Sequence, residues 1–127
     1  MDSKKLKELL TSGEEICLTV KGKSMQPFVR DNVDAVFAKK IKRPLKKGDV
    51  AFFEDALGRI VMHRVCKITP AGYIFRGDSM RQTEGPVPPE KILAVVDKIK
   101  RGDKIYTKNS IYCFMFRHFI NIIRLKH

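Results

Sequence analysis

The chain presents its apolar residues in short runs, each closed by turn-forming residues, and that punctuation narrows the architecture more than any other feature. Ile16-Cys17-Leu18-Thr19-Val20, Val33 to Phe37, Asp49-Val50-Ala51-Phe52-Phe53, Arg59 to Ile68, Tyr73-Ile74-Phe75 and Ile92 to Val96 with Ile99 have strand composition. Between them stand Gly22 and Pro27, the basic loop Lys39 to Lys47, Asp55-Ala56-Leu57-Gly58, Pro70-Ala71-Gly72 and Gly85-Pro86-Val87-Pro88-Pro89. The last of these reads as a rigid connector without regular structure. Strands joined by such short turns form a meander rather than βαβ units. A mainly β fold is expected, a small barrel or pair of coiled sheets of about six strands.

Two segments depart from this pattern. Ser3 can cap a short helix carrying Leu6, Leu9 and Leu10, which Thr11-Ser12-Gly13 ends, and which is expected to be peripheral. At the other end, Ile111 to Phe116 and Phe119 to Ile123 are apolar clusters broken by Arg117-His118 and followed by Arg124 and Lys126. A helix opened by Asn109 or Ser110 would be apolar around most of its circumference. Such a helix needs cover, either from protein or from a membrane interface with its cations at the headgroups. The expected organisation is one domain over residues 1–100 and a basic, apolar tail helix over 101–127.

A net charge of +12 raises the question of nucleic acid or anionic lipid as a partner. Residues 1–97 carry only +5 of that charge, and residues 98–127 carry +7. The excess sits in the tail, with no RNP-type aromatic box, zinc-ligand spacing or helix-turn-helix pattern beside it, so no nucleic-acid partner is expected. Cys17, Cys66 and Cys113 are odd in number and lack CxxC spacing, which indicates neither a disulfide framework nor a thiolate metal site. The N-terminus has no apolar leader region, and no run approaches the roughly 18 to 20 apolar residues of a spanning helix. A cytoplasmic location is expected, peripheral at the inner face of the membrane where Ile111 to Lys126 lies on lipid.

A serine hydroxyl is a poor nucleophile near neutral pH, so catalysis needs a base within hydrogen-bond reach and donors aimed at the developing oxyanion. Ser24 follows a strand on a turn where Gly22 permits a tight backbone and Pro27 stiffens the far side. His63 lies mid-strand in Ile60-Val61-Met62-His63-Arg64-Val65, on the face of Val61 and Val65 by period-two alternation. Histidine is the side chain whose ordinary titration lies nearest neutrality, which suits a base. Phe75-Arg76-Gly77-Asp78-Ser79-Met80 leaves a strand into a turn and offers Asp78 to orient an imidazole, with Glu84 as a second acid in the same loop. Each of these residues also has an ordinary structural use, so no single one decides the function.

Taken in order, the segments resemble the superfamily that contains signal peptidase I and the LexA-like self-cleaving proteins. Gly22-Lys23-Ser24-Met25-Gln26-Pro27 looks like its Gly-x-Ser-Met-x-Pro nucleophile box, and Lys46-Lys47-Gly48-Asp49-Val50-Ala51-Phe52-Phe53 like the strand leading toward the base. Ile60 to Val65 is similar to the base-bearing strand, and Tyr73 to Ser79 to the later Gly-Asp segment; the match spans roughly Ile16 to Ile99. The typical bacterial enzymes carry lysine as base, whereas His63 resembles the histidine of endoplasmic-reticulum and archaeal signal peptidases. The resemblance implies a Ser24–His63 pair supported by Asp78, with Glu84 as a further acid and Met25, Gln26 and Pro27 at the substrate. It implies an extended signal- or leader-type peptide as substrate and no cofactor or metal. Ser79, in a Gly-Asp-Ser-Met stretch that imitates a nucleophile box, is a minor rival to Ser24, and Lys67 to His63.

The 23 residues before Ser24 are too few for a DNA-binding domain and hold no membrane span, unlike the usual members. The expected function is therefore peptide hydrolysis through an acyl-enzyme on Ser24. The alternative is an inactive module of the same fold that only holds a peptide.

Overall fold

Eight strands in one antiparallel sheet, with one short helix against it, are built by residues 3–107, the part of the chain described by the computed structural model. In chain order these are α1 (Ser3–Leu10), β1 (Ile16–Thr19), β2 (Ala35–Lys39), β3 (Val50–Glu54), β4 (Ile60–Thr69), β5 (Gly72–Arg76), β6 (Glu84–Val87), β7 (Ile92–Arg101) and β8 (Lys104–Thr107), with a single 3-10 turn at Pro89–Lys91. The tail helix expected over Ile111 to Lys126, and Cys113, lie outside the described residues.

The strands pair in the order β1-β2-β7-β3-β4-β5-β6, and β8 also pairs with β7. Strand β7 is long enough to serve several partners. Ala35 to Lys39 run along one of its edges, opposite Lys100 to Val95. On the other edge Val50 to Phe53 face Val96 to Ile92, and Lys104 to Thr107 face Arg101 to Lys98. Strand β4 pairs with β3 from Ile60 to Arg64 but with β5 only from Arg64 onward. The edge of β4 over residues 60–63 has no strand partner on that side among the described residues.

Alternation along the strands sorts the apolar side chains into two clusters. Val36, Ala38, Val50, Phe52, Met62, Ala94, Val96 and Ile99 form the first, over which Leu10 of α1 and Met25, Phe28 and Val29 of the long β1–β2 connection are laid. Ala51, Phe53, Val65, Tyr73, Phe75 and Val87 form the second, with Phe53 and Phe75 stacked at 4.2 Å between ring centroids. The basic loop after β2 covers this cluster with Leu45, whose N–H donates to the Tyr73 hydroxyl at 3.2 Å.

Two elements differ from expectation. The Gly85 to Pro89 stretch is not wholly irregular: Glu84–Val87 pairs with β5, and Pro86 is tolerated because β6 is an edge strand that needs no outward donor. The sheet continues past residue 100, because Gly102 turns the chain at a φ of 62° and Lys104–Thr107 fold back on β7. Helix α1 lies at the periphery as expected, anchored by its last residue, Leu10, which is 1% exposed within the first cluster. Thr11 and Ser12 end it as expected, their hydroxyls donating to the carbonyls of Lys7 at 2.7 Å and Leu9 at 2.8 Å.

Only three buried residues are polar or charged among the described residues, Asp34, Asp49 and His63. Asp34 is fully buried and paired with two arginines, Arg30 at 2.8 Å and Arg101 at 3.0 Å. Burial by itself raises a carboxyl pKa, but hydrogen bonds from Arg30 and Arg101 outweigh it and hold Asp34 below its ordinary 3.8. The Lys7 ammonium likewise lowers Glu54 and ties α1 to the end of β3.

A carboxylate whose folded pKa is depressed contributes stability that is complete above its unfolded pKa and lost as pH falls through the folded one. Urea unfolding followed by circular dichroism is expected to give stability that is flat near neutrality and falls on acidification below about pH 4. Asp34→Asn should cost about 2 to 3 kcal/mol at neutral pH and show a shallower acid limb, because two cations then face a neutral amide. Identical acid limbs in the two proteins would assign the acid sensitivity to other groups.

Candidate active site

Ser24 is carried by a loop closed on itself. Val20 N–H donates to Asp34 O at 3.1 Å and Asn32 N–H to Val20 O at 2.7 Å, which fastens the two ends of the connection between β1 and β2. Gly22, at a φ of 109° that side chains other than glycine rarely adopt, turns the chain and donates its N–H to Asp31 Oδ1 at 2.7 Å. Met25, Phe28 and Val29 point into the first cluster. The serine just before them is half-buried and directed away from that core.

His63 arrives from β4, opposite Ala51 of β3, on the face of the second cluster. Its ring lies 6.2 Å from that of Phe53, and the residue is 7% exposed. Nε2 stands 3.1 Å from Ser24 Oγ, bringing together residues 39 positions apart. Nδ1 is hydrogen-bonded to Glu84 Oε1. A carboxylate can only accept, so Nδ1 carries the hydrogen, and in that tautomer the lone pair of Nε2 faces the serine hydroxyl. Glu84 is the first residue of β6, placed by its pairing with Phe75, and its side chain is 35% exposed.

The loop between β5 and β6 is pressed against this pair. A Cβ on Gly77 would lie 2.7 Å from Ser24 O, 3.1 Å from His63 Nε2 and 3.1 Å from Met80 Sδ, so only glycine fits there. Ser79 donates its N–H to Ser24 O at 2.9 Å and its hydroxyl to Lys23 O at 2.6 Å. Arg64, one residue after the histidine and on the opposite face of β4, forks onto Asp78 with two bonds of 2.8 Å. The same guanidinium donates to Gly48 O at 2.8 Å and lies 4.6 Å from the Phe28 ring centroid.

Asp78, expected ahead of Glu84 as the acid of the site, is therefore bound to Arg64 and holds the loop, while Glu84 meets the imidazole. The reason is geometric: Asp78 follows Gly77 on the side of Arg64, and β6 returns Glu84 to the side of His63. Met25, expected at the substrate, is instead a core residue, 1% exposed. Gln26, also expected there, uses Oε1 to accept the N–H of Asp31 at 3.3 Å, and Pro27 is half-buried. The Ser79 hydroxyl is engaged with Lys23 O, and Lys67 is exposed beyond a break in the β4–β5 register. The contributions of Arg64 and Gly77 went unread in the sequence. The signal for Arg64 was its position beside the histidine, where alternation sends it to the other face with a carboxylate as partner.

No protein-family model matches the chain, and a search of curated proteins returns no significant match. Among the described residues no helix is long and apolar enough to cross a membrane, and no group of three or more His, Cys, Asp or Glu residues could hold a metal ion.

Gly77→Ala tests the close approach. The added methyl must push the loop off the backbone of Ser24, which predicts a loss of about 1 to 3 kcal/mol in chemical unfolding. It also predicts a Ser24 Oγ to His63 Nε2 separation beyond hydrogen-bond range in a crystal structure of the variant. Wild-type stability with the separation unchanged would show that the loop yields freely.

Proposed function

We propose that the protein is a serine endopeptidase of the signal-peptidase and LexA-like kind, which cuts a signal- or leader-type peptide. The observation that supports this most is the linked set of Ser24 Oγ, His63 Nε2, His63 Nδ1 and Glu84 Oε1, drawn from three distant segments. Nucleophile, base and orienting acid follow one another at hydrogen-bond spacing, as acyl transfer requires.

In this reading Ser24 Oγ attacks the scissile carbonyl while its proton passes to His63 Nε2, and Glu84 holds the imidazolium through Nδ1. The tetrahedral oxyanion takes the backbone N–H of Ser24, which donates to no acceptor among the described residues. His63 returns the proton to the leaving amine, and an acyl-enzyme remains on Ser24. Water then attacks the acyl carbon as its proton passes to His63, the bond from that carbon to Ser24 Oγ breaks, and His63 returns the proton to Oγ as the acid leaves. The unpaired edge of β4 over residues 60–63 suits an extended peptide, whose main chain would pair there beside the base. Asp78 supports the site through Arg64 rather than through the imidazole. The sheet is read as the coiled barrel of the superfamily, and Ile111 to Lys126 as a helix that docks on protein or on the inner face of the membrane of a cytoplasmic enzyme.

Incubating the purified protein with candidate leader and signal peptides, and mapping cuts by mass spectrometry, tests this directly. Ser24→Ala should abolish cleavage with the fold intact. His63→Ala should lower kcat/KM by about a thousandfold or more, and Glu84→Gln by about a hundredfold or more. In the wild type kcat/KM should rise with pH as the imidazole loses its proton, a limb absent from His63→Ala; a rate still climbing beyond about pH 9 would indicate lysine. Cleavage that survives Ser24→Ala would sink the assignment. A peptide bound equally by the wild type and the Ser24→Ala, His63→Ala double variant, and cut by neither, would select the non-catalytic module.

A further inference from the structure

The loop that carries Ser24 is tied to itself at several points and to the loop between β5 and β6 through Ser79, while the carbonyls beyond Ser24 are tied to a strand by a side chain that comes from far along the chain. Arg101 is the last residue of β7. Its Nη2 donates to Pro27 O at 3.2 Å, to Phe28 O at 3.1 Å and to Asp34 Oδ2 at 3.0 Å, and its Nε donates to Asp34 Oδ2 at 3.2 Å. Asp34, without solvent contact, is itself fixed by Arg30, whose N–H reaches Oδ2 at 2.9 Å and whose guanidinium reaches Oδ1 at 2.8 Å. A fully buried carboxylate thus aims the Arg101 fork at two consecutive carbonyls, three and four residues beyond the nucleophile.

The same strand sets the base. Val95 of β7 pairs with Ala51 of β3, and Ala51 pairs with His63 of β4. Base and nucleophile are therefore both referenced to β7, His63 through two ladders of backbone hydrogen bonds and the Ser24 loop through the Arg101 guanidinium. The apolar contacts of Met25, Phe28 and Val29 hold the loop onto the core, but such contacts have no direction and allow it to slide. Hydrogen bonds to backbone carbonyls are directional and set its height along the strand.

We infer that Arg101 is a positioning residue that sets the height of the Ser24 loop, so that Oγ meets His63 Nε2. This rests on the peptidase reading for its kinetic consequence but not for its structural one. A lysine in its place keeps the charge and cannot fork across two carbonyls and a carboxylate. Arg43 is the matched control, because it binds the other buried carboxylate, Asp49, at 3.1 Å and belongs to the basic loop rather than to the Ser24 loop.

The experiment compares Arg101→Lys with Arg43→Ala in the full chain, at a temperature where circular dichroism shows both folded. Hydrogen exchange is read at the amides of Gln26 and Val29, which close turns of the loop, and at Phe53 and Phe75 in the core. Kinetics are read with whichever leader or signal peptide the wild type cuts. Arg101→Lys is expected to speed exchange at Gln26 and Val29 at least tenfold, to leave Phe53 and Phe75 unchanged, and to lower kcat at least tenfold with KM near wild type. Arg43→Ala is expected to lower the melting temperature while keeping kcat within about twofold, a split that a purely structural ion pair would not produce. Unchanged exchange at Gln26 and Val29 in Arg101→Lys overturns the inference, as does equal loss of kcat in both variants. If the wild type cuts no peptide, the peptidase reading falls and exchange alone decides whether Arg101 holds the loop.

Discussion

Strand β7 is the member on which the remaining structure depends, because it is paired along both edges for most of its length. With β2 on one side and β3 then β8 on the other, it joins the two ends of the sheet that short hairpins alone would leave apart. Its side chains alternate between the clusters, Ala94 and Val96 facing one and Val95 the other. Helix α1 and the Ser24 loop lie over the first of these clusters, and the basic loop over the second. A change in the path of β7 would thus be transmitted to every covering segment.

The charged groups buried in this core sit where a connection must be fastened. Asp34 closes the Ser24 loop, and Asp49 accepts Lys46 N–H at 2.8 Å and Arg43 at 3.1 Å where the basic loop enters β3. Taking a carboxylate from water is costly unless donors replace the water, and at both positions arginine and backbone N–H together do so. Apolar burial supplies the larger share of the driving force but specifies little about where a loop stops. These paired carboxylates supply that stopping point.

The strands and the two central residues of the site were legible in the sequence because each depends on local pattern. Alternation in Ile60 to Val65 sent His63 toward Val61 and Val65, and Gly22 with Pro27 marked the turn that holds Ser24. Long-range geometry was not legible. Glu84 and Asp78 are six positions apart in the sequence, and the choice between them turns on whether β6 pairs with β5, which a stretch holding Gly85, Pro86, Pro88 and Pro89 conceals. Lys104 to Thr107 is too short and too polar to stand out as a strand, and is one only because Gly102 folds it onto β7. Met25 follows Ser24 and reads in the sequence as a substrate contact, whereas direction along an irregular loop, unlike direction along a strand, cannot be read from spacing.

The arrangement at β4 shows why a single register matters so much here. His63 and Arg64 are adjacent in sequence and so point to opposite faces, yet both grip the loop between β5 and β6, one through Glu84 and the other through Asp78. Both grips follow Gly77, which lacks the Cβ that would strike Ser24 O. A slip of β4 by one residue against β3 would exchange the two faces, setting a guanidinium against the serine and an imidazole against Asp78. Neither pairing would then be satisfied, since an arginine cannot accept the serine proton and the shorter imidazole cannot reach Gly48 O and fork onto Asp78 together. The Ala51 to His63 register is thus selected twice, by the apolar pattern of the sheet and by Asp78 and Glu84, and Ser24 meets His63 only where both agree.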